Sequence, residues 1–300
     1  SNVLSTGTLG AGLSQTVTMP ATIDLTANGT YTFNASTTVT GDINTGNDAM
    51  AASSPIIILG GTYTVGSVGN YATIAAAVTA YNAAACISSN VVFSLTDATY
   101  DIGTTTLTIN QNANSGSYTL TIKPAVGVSP TITGAVASSA IFNIRANNVI
   151  IDGSNSVGGT SRDLTITNTS ATTPNVILIG NSGTSTGTAL TNVTLKNTIL
   201  INGVNTANAV IVANNLAAAG YFNTITIQNN SVQKAYIGIY ALATVATGNG
   251  SGLLFTGNDL NTSGANAISY TGIYVQGVDG ATVSNNNIGN ITTTSSIYPR

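Results

Sequence analysis

Apolar and polar residues alternate in short segments that recur through the second half of the chain. Five six-residue segments align without gaps: LTITNT from Leu164, VTLKNT from Val193, ITIQNN from Ile225, LLFTGN from Leu253 and ATVSNN from Ala281. Their first residues are 29, 32, 28 and 28 positions apart. A period of two predicts strands with one buried face. A repeat of this length that contains only strands and turns predicts a β-solenoid.

Asparagine follows the apolar positions in almost every repeat. It tolerates the left-handed bend between consecutive strands, and glycine adopts that bend without strain. Stacked side-chain amides can also hydrogen-bond along the solenoid axis. Asparagine-rich loops of a β-sandwich are the alternative, but sandwiches do not produce matched columns at constant spacing. The predicted structural ladder consists of Asn168, Asn197, Asn229, Gly257 and Asn285 in one column and Asn230, Asn258 and Asn286 in the next.

One segment ahead of the repeats has the pattern of a helix. In NYATIAAAVTAYNAAA, apolar residues fall at i, i+3, i+4 and i+7, which predicts a helix over about residues 72–84. Such a helix would cover the apolar end of the solenoid, whose coils are predicted over about residues 90–300. Cys86, the only cysteine, is expected to pack beside it as a small hydrophobe.

These segments resemble a known family. TYTVGSVGNYATIAAAV, VVFSLTDATYDI and NNVIIDGSN are similar to the right-handed parallel β-helix modules of the pectate-lyase-like superfamily. They are most similar to the modules in large surface proteins of Bacteroidota that the type IX secretion system exports. The resemblance covers roughly residues 61–300 and implies a right-handed parallel β-helix. Because the superfamily contains lyases, hydrolases, phage tailspikes and adhesins, it does not fix a function.

Residues 1–60 have a different pattern. ATIDLTANGTYTFNAST places Tyr31 and Phe33 in an alternating strand after a turn, which is similar to the tyrosine corner of immunoglobulin-like sandwiches. SPIIIL would then be the last strand of the sandwich. We therefore expect the C-terminal half of an Ig-like domain in residues 1–60. Its other strands would come from preceding residues of a longer exported protein, or from a neighbouring chain by strand donation.

The composition excludes several classes of chemistry. Only 5% of the residues are charged, all nine acidic residues are Asp, and the chain has no Glu, His or Trp. Histidine general bases, histidine metal sites and glutamate-dependent glycosidase pairs are therefore impossible. Six Lys and Arg residues form no basic stripe, so nucleic acid is not an expected partner. No apolar run approaches the ~20 residues of a membrane-spanning helix.

The acidic residues predict no catalytic site. The enzymes of the superfamily cluster carboxylates on one outward strand face, with an Arg or Lys base nearby. Here Lys196 and Arg162 have no matching acid cluster in the sequence, and isolated solvated charges are the favoured interpretation. The acidic residues of the predicted solenoid are Asp97, Asp101, Asp152, Asp163, Asp259 and Asp279, without a DD or DxD pair among them.

Two further patterns are weaker. Asp42, Asn44 and Asp48 place oxygen ligands at alternate positions, as in the first half of a calcium-binding loop, so calcium is the one candidate cofactor. No Glu completes that loop, and a polar hairpin is the favoured alternative. Threonine columns on the strands could bind ice, but Lys196, Gln228 and Leu254 interrupt them. An ordinary threonine-rich strand face is therefore favoured.

The predicted function is structural and adhesive rather than catalytic. We expect a stiff rod in an extracellular, cell-surface protein or filament. Its partners would be neighbouring domains of the same polypeptide, identical chains in a filament, and surface glycans. The alternatives are a polysaccharide lyase or hydrolase with an atypical site, and a carbohydrate-binding module whose exposed aromatic residues would be Tyr236, Tyr240, Tyr270 and Tyr274.

Overall fold

The computed structural model describes residues 13, 15–18, 22–24, 27–51, 53, 55–180, 190–213, 222–245 and 247–293. Strands β1 to β5 span Gly29–Tyr31, Ile56–Val65, Cys86–Leu95, Thr99–Asp101 and Leu107–Asn110. Strands β6 to β11 span Leu120–Pro124, Thr131–Gly134, Ala140–Arg145, Val149–Asp152, Leu164–Asn168 and Asn175–Ile179. Strands β12 to β17 span Leu190–Lys196, Thr198–Ile201, Val210–Ala213, Phe222–Gln228, Ser231–Gln233 and Ile237–Leu242. Strands β18 to β22 span Leu253–Thr256, Asp259–Leu260, Thr271–Gln276, Ala281–Ser284 and Asn287–Ile288, and helix α1 spans Ile74–Ala83.

Successive coils of the chain stack into three sheets. Sheet A has the order β1-β2-β3-β6-β9-β12-β15-β18-β21, sheet B the order β4-β7-β10-β13-β16-β19-β22, and sheet C the order β5-β8-β11-β14-β17-β20. In the part of the chain that is described, the strands of neighbouring coils pair in parallel, and antiparallel pairing is confined to β1 with β2 and an isolated bridge between Ser36 and Ala49. The protein is therefore a parallel β-solenoid of about seven coils, which confirms the predicted fold class.

The core is built from columns of inward-facing aliphatic and aromatic residues. Val193 pairs directly with Ile225, and Leu253 lies in the next strand of sheet A, so the predicted stacking of these three residues is confirmed. Fully burying one such side chain stabilises the fold by about 1.5–3 kcal/mol. The adjacent column of sheet A, at most 1% exposed, consists of Phe93, Ile122, Ile151, Leu195, Ile227 and Phe255.

Helix α1 packs against β2 and β5, the first solenoid strands of sheets A and C. The Oγ1 atom of Thr73 accepts a hydrogen bond from the backbone N–H of Ala76 at 3.1 Å and caps the helix N-terminus. The helix is therefore confirmed and starts two residues later than the pattern predicted. Its buried face is the predicted one: Ile74, Ala77, Val78 and Tyr81.

The prediction for Cys86 is wrong. Its side chain is exposed and carries a free thiol. Cys86 is the first residue of β3, and its neighbour Ile87 faces inward with 3% exposure. Because successive strand residues point to opposite sides, Cys86 must point outward.

The structure does not confirm an Ig-like sandwich ahead of the solenoid. Within the described residues, β1 pairs antiparallel with β2, and β2 pairs in parallel with β3 from Ile58 to Val65. The segment SPIIIL, expected as the last sandwich strand, thus begins sheet A of the solenoid, and the expected boundary at residues 60 and 61 falls inside β2. One local expectation holds: the Tyr31 hydroxyl donates back to the carbonyl oxygen of Ala27 at 2.6 Å.

The first of the five aligned repeats lies in a different sheet from the others. Leu164 pairs with Thr198 in sheet B, whereas Val193 lies in sheet A above β9. The alignment of Asn168 with Asn197 was therefore wrong. Stacked neighbours elsewhere in the solenoid are also 29 residues apart. The separation of Leu164 and Val193 therefore equals the length of one coil by coincidence. Between β9 and β12 of sheet A, stacked neighbours are 44 residues apart, as Asn147 and Thr191 are, because inserted loop residues lengthen this coil.

Candidate functional site

The corner between sheets A and B holds the predicted inner asparagine column. Each of its asparagine side chains, buried at Asn230 and Asn258 and half-buried at Asn286, bridges two coils in the same way. The Oδ1 atom of Asn230 accepts from the backbone N–H of Thr198 at 3.1 Å, and its Nδ2 donates to the carbonyl oxygen of Leu195 at 3.0 Å. Asn258 and Asn286 repeat both bonds one and two coils further along. These amides replace backbone partners where the strands bend.

The outer column lies beside it and adopts the left-handed conformation. Asn197, Asn229, Gly257 and Asn285 have φ values of 59°, 52°, 66° and 55°. The Nδ2 atom of Asn229 donates to Oδ1 of Asn197 at 2.8 Å. Asn197 in turn donates to Oδ1 of Asp152 at 2.7 Å. The predicted ladder residues other than Asn168 are thus together at one corner.

Asn168 forms a separate turn between sheets B and C. It is fully buried, and its Oδ1 accepts from the backbone N–H groups of Val136 at 3.0 Å and Ser170 at 3.2 Å. Asn202, which sequence reasoning missed, occupies the corresponding place one coil later and donates to the carbonyl oxygen of Pro174 at 3.1 Å. In the sequence, the only local signal for these two turns is the pair of tetrapeptides ITNT and LING, which contain Asn168 and Asn202.

A loop of residues 153–163, named the corner loop here, folds over the outer asparagine column. Gly153 begins it where a Cβ atom would lie 1.8 Å from the carbonyl oxygen of Asn197, so only glycine fits. The carbonyl oxygens of Gly159 and Thr160 accept from Asn197 at 3.2 Å and from Asn229 at 2.7 Å. The corner loop therefore runs along the axis instead of around the coil.

Arg162 fixes the end of the corner loop two coils away from its start. Its Nε donates to the carbonyl oxygen of Asn229 at 2.9 Å, and its Nη2 donates to Oδ1 of the same residue at 3.0 Å. Its Nη1 lies 3.7 Å from a carboxylate oxygen of Asp259. Lys196 meets Asp152 at 3.3 Å at the other end of the same corner. Each of these two cations therefore has one carboxylate partner, and the interpretation of both as isolated solvated charges was wrong.

The carboxylates of the described chain mostly hold turns. In four of them the side chain accepts the backbone N–H two residues ahead, which is an Asx turn: Asp42, Asp101, Asp152 and Asp259. Two others, Asp97 and Asp279, accept a backbone N–H from another loop, and Asp163 accepts the N–H of Asn155 within the corner loop. A glutamate is one methylene too long for the Asx geometry, which explains Asp at those four positions.

The predicted calcium ligands lie in one such turn. A carboxylate oxygen of Asp42 accepts from the backbone N–H of Asn44 at 2.8 Å, and the carbonyl oxygen of Asp48 accepts from Thr37 at 2.7 Å. No group of three or more His, Cys, Asp or Glu that could hold a metal ion occurs in the described part of the chain. The Asx turn accounts for Asp42, and calcium binding here stays a prediction.

No family model, curated protein or solved structure matches this chain significantly. The geometry of the site therefore carries the functional argument.

The four predicted ligand-binding tyrosines stack on one another. Tyr236 and Tyr270 have ring centroids 4.7 Å apart and planes within 4° of parallel. Tyr240 and Tyr274, which pair across sheet C, have centroids 5.4 Å apart with planes at 20°. Because each ring covers a face of its partner, these tyrosines link coils in the manner of the asparagine column. Half of the ring faces that a sugar would need are already occupied.

The threonine columns of sheet A are interrupted as predicted. Thr194, Thr226, Leu254 and Thr282 stack in one register, and Lys196, Gln228, Thr256 and Ser284 stack in the next. Thr165 lies in sheet B instead. Among the helices that the structure describes, none has the length and apolar character to span a bilayer.

Proposed function

We propose that this chain is a non-catalytic structural module, a stiff rod within a long extracellular surface protein or filament. The observation that carries the proposal is the column of buried amides at the corner between sheets A and B. It crosslinks successive coils by side-chain hydrogen bonds in addition to the backbone ladders. At ~4.8 Å per coil, seven coils make a rod of about 35 Å.

The finer assignment rests on sequence resemblance. The segments similar to pectate-lyase-like modules of Bacteroidota surface proteins support an extracellular, cell-surface location and type IX export. The partners in this proposal are flanking Ig-like domains, further copies of the chain, and surface glycans.

Single-molecule force spectroscopy tests the rod directly. With handles at both ends of the chain, we expect unfolding in steps of one or a few coils. One coil of 28 to 32 residues releases about 100 Å of chain. The Asn258→Ala variant should lower the rupture force, and the exposed Asn287→Ala variant serves as the control. Smooth extension without coil-sized steps would contradict a mechanical role.

An activity assay addresses the enzymatic alternative. The carboxylates of Asp152 and Asp163 are engaged by backbone N–H groups of the corner loop, which supports a structural role for both. We therefore expect no release of unsaturated sugars from pectin or alginate. Release that disappears in Asp152→Asn or Asp163→Asn would overturn the non-catalytic assignment.

A further inference from the structure

A cleft opens beside the first strands of the solenoid. It has a volume of about 310 Å³ and lies where β1 meets β2. This volume is at the lower end of the range for small-molecule sites, about 300–1,000 Å³. Its walls come from Asn28, Gly29, Thr30, Ile57, Ile58, Leu59, Tyr63, Asn70 and Tyr71.

Two aromatic rings form the apolar part of the cleft. The rings of Tyr63 and Tyr71 have centroids 5.7 Å apart and planes inclined at 52°, so they diverge instead of covering each other. Phe93, which is 1% exposed, packs edge-on against both rings, with centroids 6.4 Å and 5.7 Å away. This contact orients the two tyrosines and distinguishes them from the stacked tyrosines of sheet C.

The cleft also has polar groups that the protein leaves unused. Oδ1 of Asn70 accepts from the backbone N–H and hydroxyl of Thr64, at 2.8 and 2.9 Å. Within the described residues, the Nδ2 amide of Asn70 and the hydroxyl of Tyr71 have no hydrogen-bond partner. The Tyr63 hydroxyl accepts from the N–H of Gly60 at 3.2 Å, which leaves its own proton to donate.

Charge narrows the class of ligand. The described residues that line the cleft include no Asp, Lys or Arg, so none of them would neutralise a phosphate, a carboxylate or a cation. Burial, and next the neighbouring Tyr63, raise the pKa of Tyr71 above 10.0, so its hydroxyl stays neutral and able to donate at physiological pH. A matching ligand is neutral, has an apolar ring face and carries hydroxyl groups around its edge.

We propose that this cleft binds one neutral pyranose unit of a glycan. A pyranose has C–H faces that pack on aromatic rings and hydroxyls that suit free amide and phenol groups. The site shares no residue with the corner loop or with the tyrosines of sheet C. The two proposals are tested independently, because a chain that binds no sugar can still unfold in coil-sized steps.

Saturation-transfer NMR and calorimetry with methyl glycosides of glucose, galactose, mannose, rhamnose and N-acetylglucosamine test the proposal. We expect at least one to bind with a Kd of order 1 mM, the affinity typical of a ligand of this size. Acyclic sorbitol, which has hydroxyls but no ring face, should not bind. If none of the glycosides binds at tenfold higher concentration, the proposal is wrong.

Two variants locate the site. Asn70→Asp keeps the Oδ1 acceptor for Thr64 and removes the free amide, so the fold should persist while affinity falls about fivefold or more. Tyr71→Ala should abolish binding. Tyr240→Ala is the matched control in sheet C and should leave affinity unchanged. Binding lost in Tyr240→Ala and kept in Asn70→Asp would instead place the sugar on sheet C and overturn the assignment.

Discussion

At the scale of the residue, this protein uses short amides and carboxylates where other proteins use longer charged side chains. A solenoid corner leaves backbone N–H and C=O groups without strand partners, and these groups are buried between coils. Asn230 satisfies a donor and an acceptor at once, and Asp152 satisfies the N–H of Ser154 at 3.0 Å. Because an unsatisfied buried polar group costs about 1–3 kcal/mol, these small residues are needed for stability.

Among the buried positions of the corner, the inner asparagines should lose the most stability when they are replaced by alanine. Asn230→Ala would leave the N–H of Thr198 and the carbonyl oxygen of Leu195 unpaired in the core, so we expect a loss of about 2–4 kcal/mol. Urea unfolding with amide hydrogen exchange measures it. Asn287→Ala, at the exposed first residue of β22, removes only an exposed 3.1 Å hydrogen bond to Asp259 and should change stability by less than about 0.5 kcal/mol. Equal effects would refute the bridging role.

Substitutions of Gly257 test the effect of backbone conformation separately from that of side-chain packing. Its φ is 66°, and a Cβ atom would meet only the backbone nitrogen of Asn229, at 3.9 Å. Gly257→Asn should therefore be neutral within about 0.5 kcal/mol, whereas Gly257→Val should cost about 1–2 kcal/mol for the left-handed conformation. Thermal unfolding compares the two variants. A neutral valine would mean that the corner does not impose the conformation.

At the scale of the element, the corner loop is the exception to the repeat. The later turns between sheets A and B contain one or two residues, such as Asn197 or the pair Gly257 and Asn258. The corner loop contains the residues between β9 and β10 and reaches Asn229 and Asp259 in later coils through Arg162. It connects coils that are not neighbours along the chain, which local strand pairing cannot do.

Arg162 should control the docking of the corner loop more than global stability. Arg162→Lys keeps the charge but loses the paired bonds to Asn229, so it should expose the loop to hydrogen exchange and proteolysis nearly as much as Arg162→Ala. Arg145→Ala, in sheet C, is the control for removing an arginine elsewhere. Restored protection in Arg162→Lys would show that charge, and not geometry, holds the loop.

At the scale of the whole molecule, stacking replaces charge as the source of cohesion. The core is a single set of inward columns that runs from α1 to the later coils, and only 5% of the residues are charged. Stability should therefore depend little on salt and on pH near neutrality, because no histidine titrates.

Alkaline pH is the exception, because three buried tyrosines should make the stability of the fold decrease as pH rises. Burial raises the pKa values of Tyr71, Tyr81 and Tyr100 above 10.0 in the folded state. The unfolded chain loses these protons first, so stability is constant below pH about 10 and falls as pH rises further. Thermal melts across this range should show the decline, and Tyr81→Phe should reduce it. The exposed Tyr118→Phe is the control, and equal declines in both variants would contradict this cause.

The sequence by itself determined the coil. Alternating apolar positions in β12, β15, β18 and β21 define which side chains face inward, and the asparagines between strands define where each coil bends. The sequence also determined which face of α1 is buried, because apolar residues spaced at i, i+3, i+4 and i+7 all lie on one side of a helix. These features are local: each depends on residues within one strand or one helix turn.

Only the tertiary structure decided what lies above what. Leu164 matched Val193 in pattern and spacing yet belongs to sheet B, because loop insertions change the length of a coil without changing its strands. The pairing of Lys196 with Asp152, and the reach of Arg162 to Asn229, join residues 44 and 67 positions apart. The cleft of Tyr63 and Tyr71 likewise depends on β1 closing against β2. Stacking order is a property of the whole chain, since the length of every loop sets the sequence separation between stacked neighbours.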